Sequence, residues 1–192
     1  MAIAAAKLCK AELACLAKFS AKPEKDPTLA ALDACRDKAQ AKFVSSYQKA
    51  IATAAKKGRF CAADDPAAAD GIADAAISTP ATDLAEDVLG VDLASWASAD
   101  KIDKALRGGL LKAAAKYCGK DLAILGGTAK KPNREKPAAA RVSARAKFDA
   151  SAAKITAKAA GKGVVYPGRP PAELGDEIEQ LADDFADAPS QP

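Results

Sequence analysis

Apolar residues in this chain recur at three- and four-residue intervals, and no run of Val, Ile, Thr or Tyr alternates with polar residues as a half-buried strand would require. At 100° per residue, Leu8, Cys9, Leu13, Cys15, Leu16 and Phe19 fall within one arc of a first helix, predicted over residues 3–19. A second helix, over 28–57, gathers Leu32, Cys35, Ala39, Phe43, Tyr47, Ala50, Ile51 and Ala54 on one face. Lys38, Lys42, Lys49 and Lys56 line another face of that helix. Shorter helices follow over 66–77 and 80–89. The pattern then recurs, with helices over 100–124, 138–160 and 171–186, and Phe148, Ala152, Ile155 and Ala159 turn inward while Lys147, Lys154 and Lys158 turn outward.

The boundaries carry their own chemistry. Asp26-Pro27, Asp65-Pro66 and Thr79-Pro80 each pair an N-cap side chain with a proline at the first helical position, and Pro137 and Pro171 suit the same place. Gly58 and Gly163 follow lysines of a last turn, where a left-handed residue ends a helix. Gly108-Gly109 is expected to interrupt a helix and Gly126-Gly127 to end one. The stretch VVYPGRPP reads as extended or turn-like because its prolines disfavour helix in the residues before them.

Charge is sorted into blocks. Residues 1–60 hold 12 basic and 5 acidic residues, 61–100 none and 9, 101–163 hold 16 and 4, and 164–192 hold 1 and 7. A basic segment followed by an acidic one therefore occurs twice. A shift of 105 residues lays 36–58 over 141–163 with 12 identities in 23 positions, including Arg36/Arg141, Phe43/Phe148 and Gly58/Gly163. An internal duplication is the reading. The fold expected is all-α, with two tandem copies of a helical hairpin plus acidic helix packed as a bundle. The first unit is 1–98, with a basic hairpin over 1–60 and acidic helices over 61–98. The second is 99–192, with a basic hairpin over 99–163, an acidic helix over 171–187 and a disordered tail. Ile72, Ile77, Leu84, Leu89, Leu174, Ile178, Leu181 and Phe185 are expected to dock the acidic helices, since exposed ion pairs contribute little. Leu93 and Trp96 are expected to anchor the link between the units.

Composition narrows the chemistry. No stretch of about 18 uncharged apolar residues is present, so no membrane span is expected. The opening Met1–Lys10 is too short in apolar residues for a secretory signal, which leaves either a cytoplasmic chain or one whose signal has been removed. Histidine is absent, which removes the commonest general base and metal ligand. No nucleophile–base pair, phosphate-cradling loop or dinucleotide fingerprint is present, so the chain is read as no enzyme and as holding no cofactor, an enzyme with no recognisable motif, its site assembled from residues far apart in sequence, being the third reading. Cys9, Cys15, Cys35, Cys61 and Cys118 are disulfide candidates. In an antiparallel hairpin turning near residues 20–27, Cys15 and Cys35 lie about 6 and 10 Å below the turn and can meet. Such a bridge would stabilise by roughly 3 kcal/mol. Cys118 is left free, paired with Cys61 or Cys9, or joined to another chain. Metal binding fits poorly, because no CxxC or CxxxC spacing occurs.

The segment KLCKAELACLAKF and the run CRDKAQAKFVSSYQKAIATAAKKGRFC resemble the uncharacterised cysteine-containing, Ala/Lys-rich helical-hairpin repeats of predicted secreted proteins of myxobacteria and related bacteria. Asp26-Pro27, Cys35, Lys38, Lys42-Phe43, Lys56-Lys57-Gly58 and Cys61 follow the order of those repeats. The resemblance implies an extracytoplasmic, disulfide-bearing helical module and brings no catalytic residue with it. The second copy lacks the cysteines matching Cys35 and Cys61, having Ala140 and Tyr166 there. The function expected is a structural or interaction module, exported to the periplasm or beyond. It would present Lys38, Lys42, Lys49, Lys56, Lys147, Lys154 and Lys158, with Lys130, Lys131 and Arg134 of the basic loop, to an anionic surface or a protein partner. The alternative is an intracellular protein that sets the same lysines against nucleic acid, but the acidic segments nearly cancel the charge and no aromatic residues interleave with the basic ones.

Overall fold

In a computed structural model, the structure describes residues 2–58, 71, 74–96, 100–128 and 135–187. Among the described residues six α-helices pack in a bundle-like arrangement and no strand occurs. They are α1 (Ala2–Ala21), α2 (Ala30–Ala55), α3 (Thr79–Leu89), α4 (Lys101–Thr128), α5 (Glu135–Ala160) and α6 (Pro171–Asp187). α1 and α4 lie antiparallel at the centre. α2 flanks α1, α5 flanks α4, and α3 and α6 lie across one side of the central pair. One continuous core runs through all six helices.

The central contact depends on small residues. A Cβ placed on Gly119 would stand 3.0 Å from Lys10 Cβ and 3.1 Å from the Ala6 carbonyl oxygen, and one on Gly126 would stand 2.7 Å from Ala2 Cβ. At the other end, Gly108 faces Ala17 and Ser20 in the same way. Helix α4 therefore runs unbroken through Gly108-Gly109 and past Gly126, contrary to the interruption expected there. Glycine's unfavourable helix propensity is offset by backbone approach that no other residue allows.

Helix ends follow the expected chemistry with shifts. Gly58 and Gly163 are left-handed, at φ of 65° and 81°. Helix α2 begins at Ala30, and the residue before it, Leu29, is held at φ 59°. Asp26 still caps the helix from a distance, its carboxylate accepting hydrogen bonds from the Ala31 and Leu32 amides at 3.0 and 2.7 Å. Pro80 lies in the first turn of α3, as its sequence position suggests, but Thr79 is already helical and a π-helical turn, Asp74–Ser78, leads straight into it, so no side chain caps this start. Ile77, Leu84, Leu89, Leu174, Ile178, Leu181 and Phe185 are all buried, as the docking role requires, whereas Ile72 and Pro66 lie outside the described residues. Ala50, expected inside, is exposed. Leu93 and Trp96 are buried, and Trp96 donates its indole N–H to the Ser20 carbonyl at 3.1 Å while the Arg107 guanidinium lies 4.9 Å over its ring.

Phe43 and Phe148 both lie on helices and are both 3% exposed. Their aromatic neighbours differ: Phe43 meets Tyr47 of its own helix, whereas Phe148 stacks on Tyr117 of α4. Position 152, a shift of 105 from Tyr47, is alanine and buried. The ring beside the phenylalanine thus comes from the same helix in one hairpin and from the neighbouring helix in the other.

Replacing Gly119 by Ala is expected to destabilise by about 1–3 kcal/mol, as overpacking does, despite the better helix propensity of alanine. Gly127→Ala, where a new Cβ meets nothing within 4 Å, is expected to stabilise by up to about 1 kcal/mol. Urea unfolding of the two variants checks the opposite signs.

Candidate functional site

Two carboxylates are wholly buried, and each is met by an arginine from the next helix. Glu12 on α1, 0% exposed, accepts a hydrogen bond from Arg36 Nε at 2.8 Å and another from the Ser78 hydroxyl at 3.2 Å. Arg36 goes on to donate to the Ser78 carbonyl and to Thr82 Oγ1, which ties the helix pair α1–α2 to α3. Asp121 on α4, also 0% exposed, accepts two parallel hydrogen bonds from Arg141 Nε and Nη2 at 2.9 and 2.8 Å, and Arg141 Nη1 donates to Asp183 of α6 at 2.7 Å. Burial pushes the Asp121 carboxyl above its ordinary range, and Arg141 pulls it back only in part. Burial opposes the Arg141 charge, but its hydrogen bonds to Asp183 and Asp121 hold the guanidinium above its ordinary value. Burial also raises Tyr117, whose hydroxyl donates to Glu179. These groups are consumed by holding helices together.

The same division runs through the molecule. Among the described residues every arginine, namely Arg36, Arg107, Arg141, Arg145 and Arg169, is ion-paired with a carboxylate, whereas Lys104, with Glu24, is the only lysine so paired. Planar guanidinium groups serve bidentate internal contacts, and ammonium groups remain hydrated at the surface.

Those ammonium groups share one side. On α1, Lys7, Lys10 and Lys18 are exposed on the side opposite Glu12, which faces Ser78 at the start of α3. On α4, Lys112 and Lys116 stand opposite Asp121, with Lys120 beside them, and all three are exposed. The lysines of the flanking helices join them. A surface cavity of about 210 Å³ is lined by Lys116 and Lys120 of α4 with Lys147 and Ser151 of α5, over a floor of Tyr117 and Phe148. Lys154 and Lys158 continue along α5. On the other flank, Lys18 and Lys22 line a cavity with Ala31 and Cys35, from which Lys38, Lys42 and Lys49 continue along α2, with Lys56 just past its end. Asp26, in the turn between α1 and α2, is the one carboxylate that lines either of these two cavities. Asp83, Asp87, Glu173, Asp176, Glu177 and Asp184 belong to α3 and α6, on the opposite side.

The predicted residues are therefore brought together in part. Lys38, Lys42, Lys49, Lys56, Lys147, Lys154 and Lys158 are all exposed, whereas Lys130, Lys131 and Arg134 lie outside the described residues. Cys15 and Cys35 are bridged, with Cα atoms 5.9 Å apart, and Cys9 is bridged to Cys118 at 6.2 Å. Cys61 lies outside the described residues. No three potential metal ligands converge among the described residues. A cavity of about 380 Å³ lies beside the α1–α2 turn, lined by Phe19, Pro23, Leu29, Leu93 and Trp96, but its charged rim of Glu24 and Lys104 is already paired.

No family model, curated protein or solved structure matches the chain.

Reasoning from sequence missed the lysines of α1 and α4 and the buried acids between them. A signal was present at a shift of 109 residues, where Lys7, Cys9, Glu12, Leu13, Ala14 and Leu16 lie over Lys116, Cys118, Asp121, Leu122, Ala123 and Leu125. The shift of 105 that aligns the second helices hides this match, because the first hairpin is four residues longer between the matching positions.

Arg36→Ala, which leaves the Glu12 carboxylate buried and unpaired, is expected to destabilise by about 3–5 kcal/mol, and the double change Glu12→Leu/Arg36→Leu to destabilise far less. Chemical denaturation of both variants measures the difference. Alkylation of the unreduced, unfolded chain is expected to add no more than one label, and five after reduction, read by intact mass.

Proposed function

We propose that this protein is a non-enzymatic interaction module, exported from the cytoplasm, that lays a broad lysine face against an anionic surface. The observation that carries this is the separation of cations by type. The described arginines are paired internally, while exposed lysines of α2, α1, α4 and α5 share the side that α3 and α6 leave uncovered. Between those lysines the exposed surface of α1 and α4 includes Ala14, Ala105 and Ala123, small residues that give it little relief. Such a face suits diffuse electrostatic contact with many anionic groups at once. Two disulfides accord with an extracytoplasmic setting. So does the resemblance to secreted Ala/Lys-rich hairpin repeats.

We further propose that the chain arose by duplication of a hairpin-plus-acidic-helix unit. Supporting this, Arg36 and Arg141 occupy the same place in matching three-helix contacts, each joining a buried acid of the preceding helix to the following one. Cys9 and Cys118, equivalent under the 109-residue shift, are bonded to each other where α1 and α4 meet.

Co-sedimentation with vesicles containing an anionic phospholipid tests the functional proposal. Binding is expected to such vesicles and not to neutral ones, to weaken at least tenfold between about 50 and 200 mM salt, and to weaken by a similar factor in Lys112→Glu/Lys116→Glu/Lys120→Glu. Equal binding to neutral vesicles would overturn it. Tighter binding to duplex DNA at the same salt would favour the nucleic-acid alternative.

A further inference from the structure

The two disulfides stand in opposite environments. Cys9 and Cys118 are both 0% exposed, sealed between α1 and α4 beside the close approach at Gly119. Cys15 and Cys35 line a surface cavity of about 220 Å³, Cys35 half-buried, and Lys18, Lys22 and Lys25 share that lining. The one carboxylate there, Asp26, has both oxygens committed to the amides of Ala31 and Leu32. The hairpin does not depend on this bridge for its form. Where the first half has Cys15 and Cys35, the second has Ile124 and Ala140, and α4 and α5 pack with no covalent link between them. Leu32, Ala39, Phe43 and Tyr47 and the Arg36–Glu12 ion pair would still hold α2 to α1 were the bridge opened.

We propose that Cys15–Cys35 is a thiol-exchange site that takes a small anionic thiol, whereas Cys9–Cys118 is a permanent structural link. The thiolate of the incoming molecule attacks Sγ of Cys35, the half-buried partner, Cys15 being buried. A new S–S bond forms to Cys35 as the Cys15–Cys35 bond breaks, and its electron pair leaves on Cys15 Sγ, which the neighbouring ammonium groups stabilise as thiolate before it takes a proton from water. A second thiol molecule attacks the sulfur of the first, releasing Cys35 as thiolate and leaving a low-molecular-weight disulfide. Two electrons pass from two thiols to the bridge. The lysines act twice, concentrating an anionic thiol at the cavity and favouring the departing thiolate. A cationic thiol gains from neither the attraction nor the approach.

The test uses the full chain with Cys61 blocked beforehand by a maleimide. It is exposed under native conditions to 2-mercaptoethanesulfonate or to cysteamine at matched thiolate concentration, and the released cysteines are alkylated and mapped by peptide mass spectrometry. Cys15 and Cys35 are expected to appear together first, with Cys9 and Cys118 protected until the protein is unfolded. The sulfonate thiol should react about fivefold faster or more, and this advantage should disappear in about 0.5 M salt and in Lys18→Gln/Lys22→Gln/Lys25→Gln. Simultaneous release of all four cysteines, or earlier release of Cys9 and Cys118, would overturn the proposal. So would equal rates with the two thiols in the unmodified protein at low salt, a measurement that does not depend on how the variant folds.

Discussion

The close antiparallel contact of α1 with α4 organises everything around it. Alanines and glycines let the two backbones approach until a single added Cβ at Gly119 or Gly126 would collide with the opposite helix. Side-chain burial per residue is small in such a seam, so its stability comes from many close atomic contacts and from the Cys9–Cys118 bond across it. Because the seam is narrow, each central helix keeps three further directions. One takes a flanking helix, one takes an acidic helix, and one is left to solvent. The two-sided character of the molecule follows from that arrangement.

A thin, alanine-rich core leaves orientation to polar groups. Glu12 and Asp121 are carboxylates placed where most helices carry an aliphatic residue, and burial of that kind contributes little net stability even when fully paired. What the pairs do is choose a geometry. Arg36 can satisfy Glu12, the Ser78 carbonyl and Thr82 only if α3 lies across α1 and α2, and Arg141 can reach both Asp121 and Asp183 only if α6 does the same for α4 and α5. With arginines engaged in this way, the free positive charge of the described surface is lysine. Lysine is a mobile, strongly hydrated point charge, suited to contact with a field of anions rather than to recognition of one group.

The halves are alike in plan and differ in how they fill space. Tyr47 and Tyr117 enter from different helices to pack against Phe43 and Phe148, with Ala152 and Leu8 at the complementary positions. A bridged cysteine pair in one hairpin is matched by Ile124 and Ala140 in the other. Exchanges of this sort move bulk from one helix of the hairpin to the other. They also place distinct chemistry, an accessible disulfide among lysines, in one hairpin alone.

Helices, their inward faces and the segregation of charge along the chain were determined by sequence alone, because periodicity and capping are local. The buried faces of Leu8, Leu13, Leu16, Phe43 and Phe148 follow from spacing, and Gly58 and Gly163 end their helices because a left-handed residue is needed there. Cys15 and Cys35 were within reach of the same reasoning, since a single turn separates them. Only the tertiary structure decided which helix lies against which, and with it the Cys9–Cys118 partnership, the continuity of α4 through Gly108, the burial of Glu12 and Asp121, and the extension of the lysine stripes across α1 and α4. Each of these depends on contacts between residues far apart in the chain, where a pattern of apolar positions says that a face is covered and is silent about what covers it.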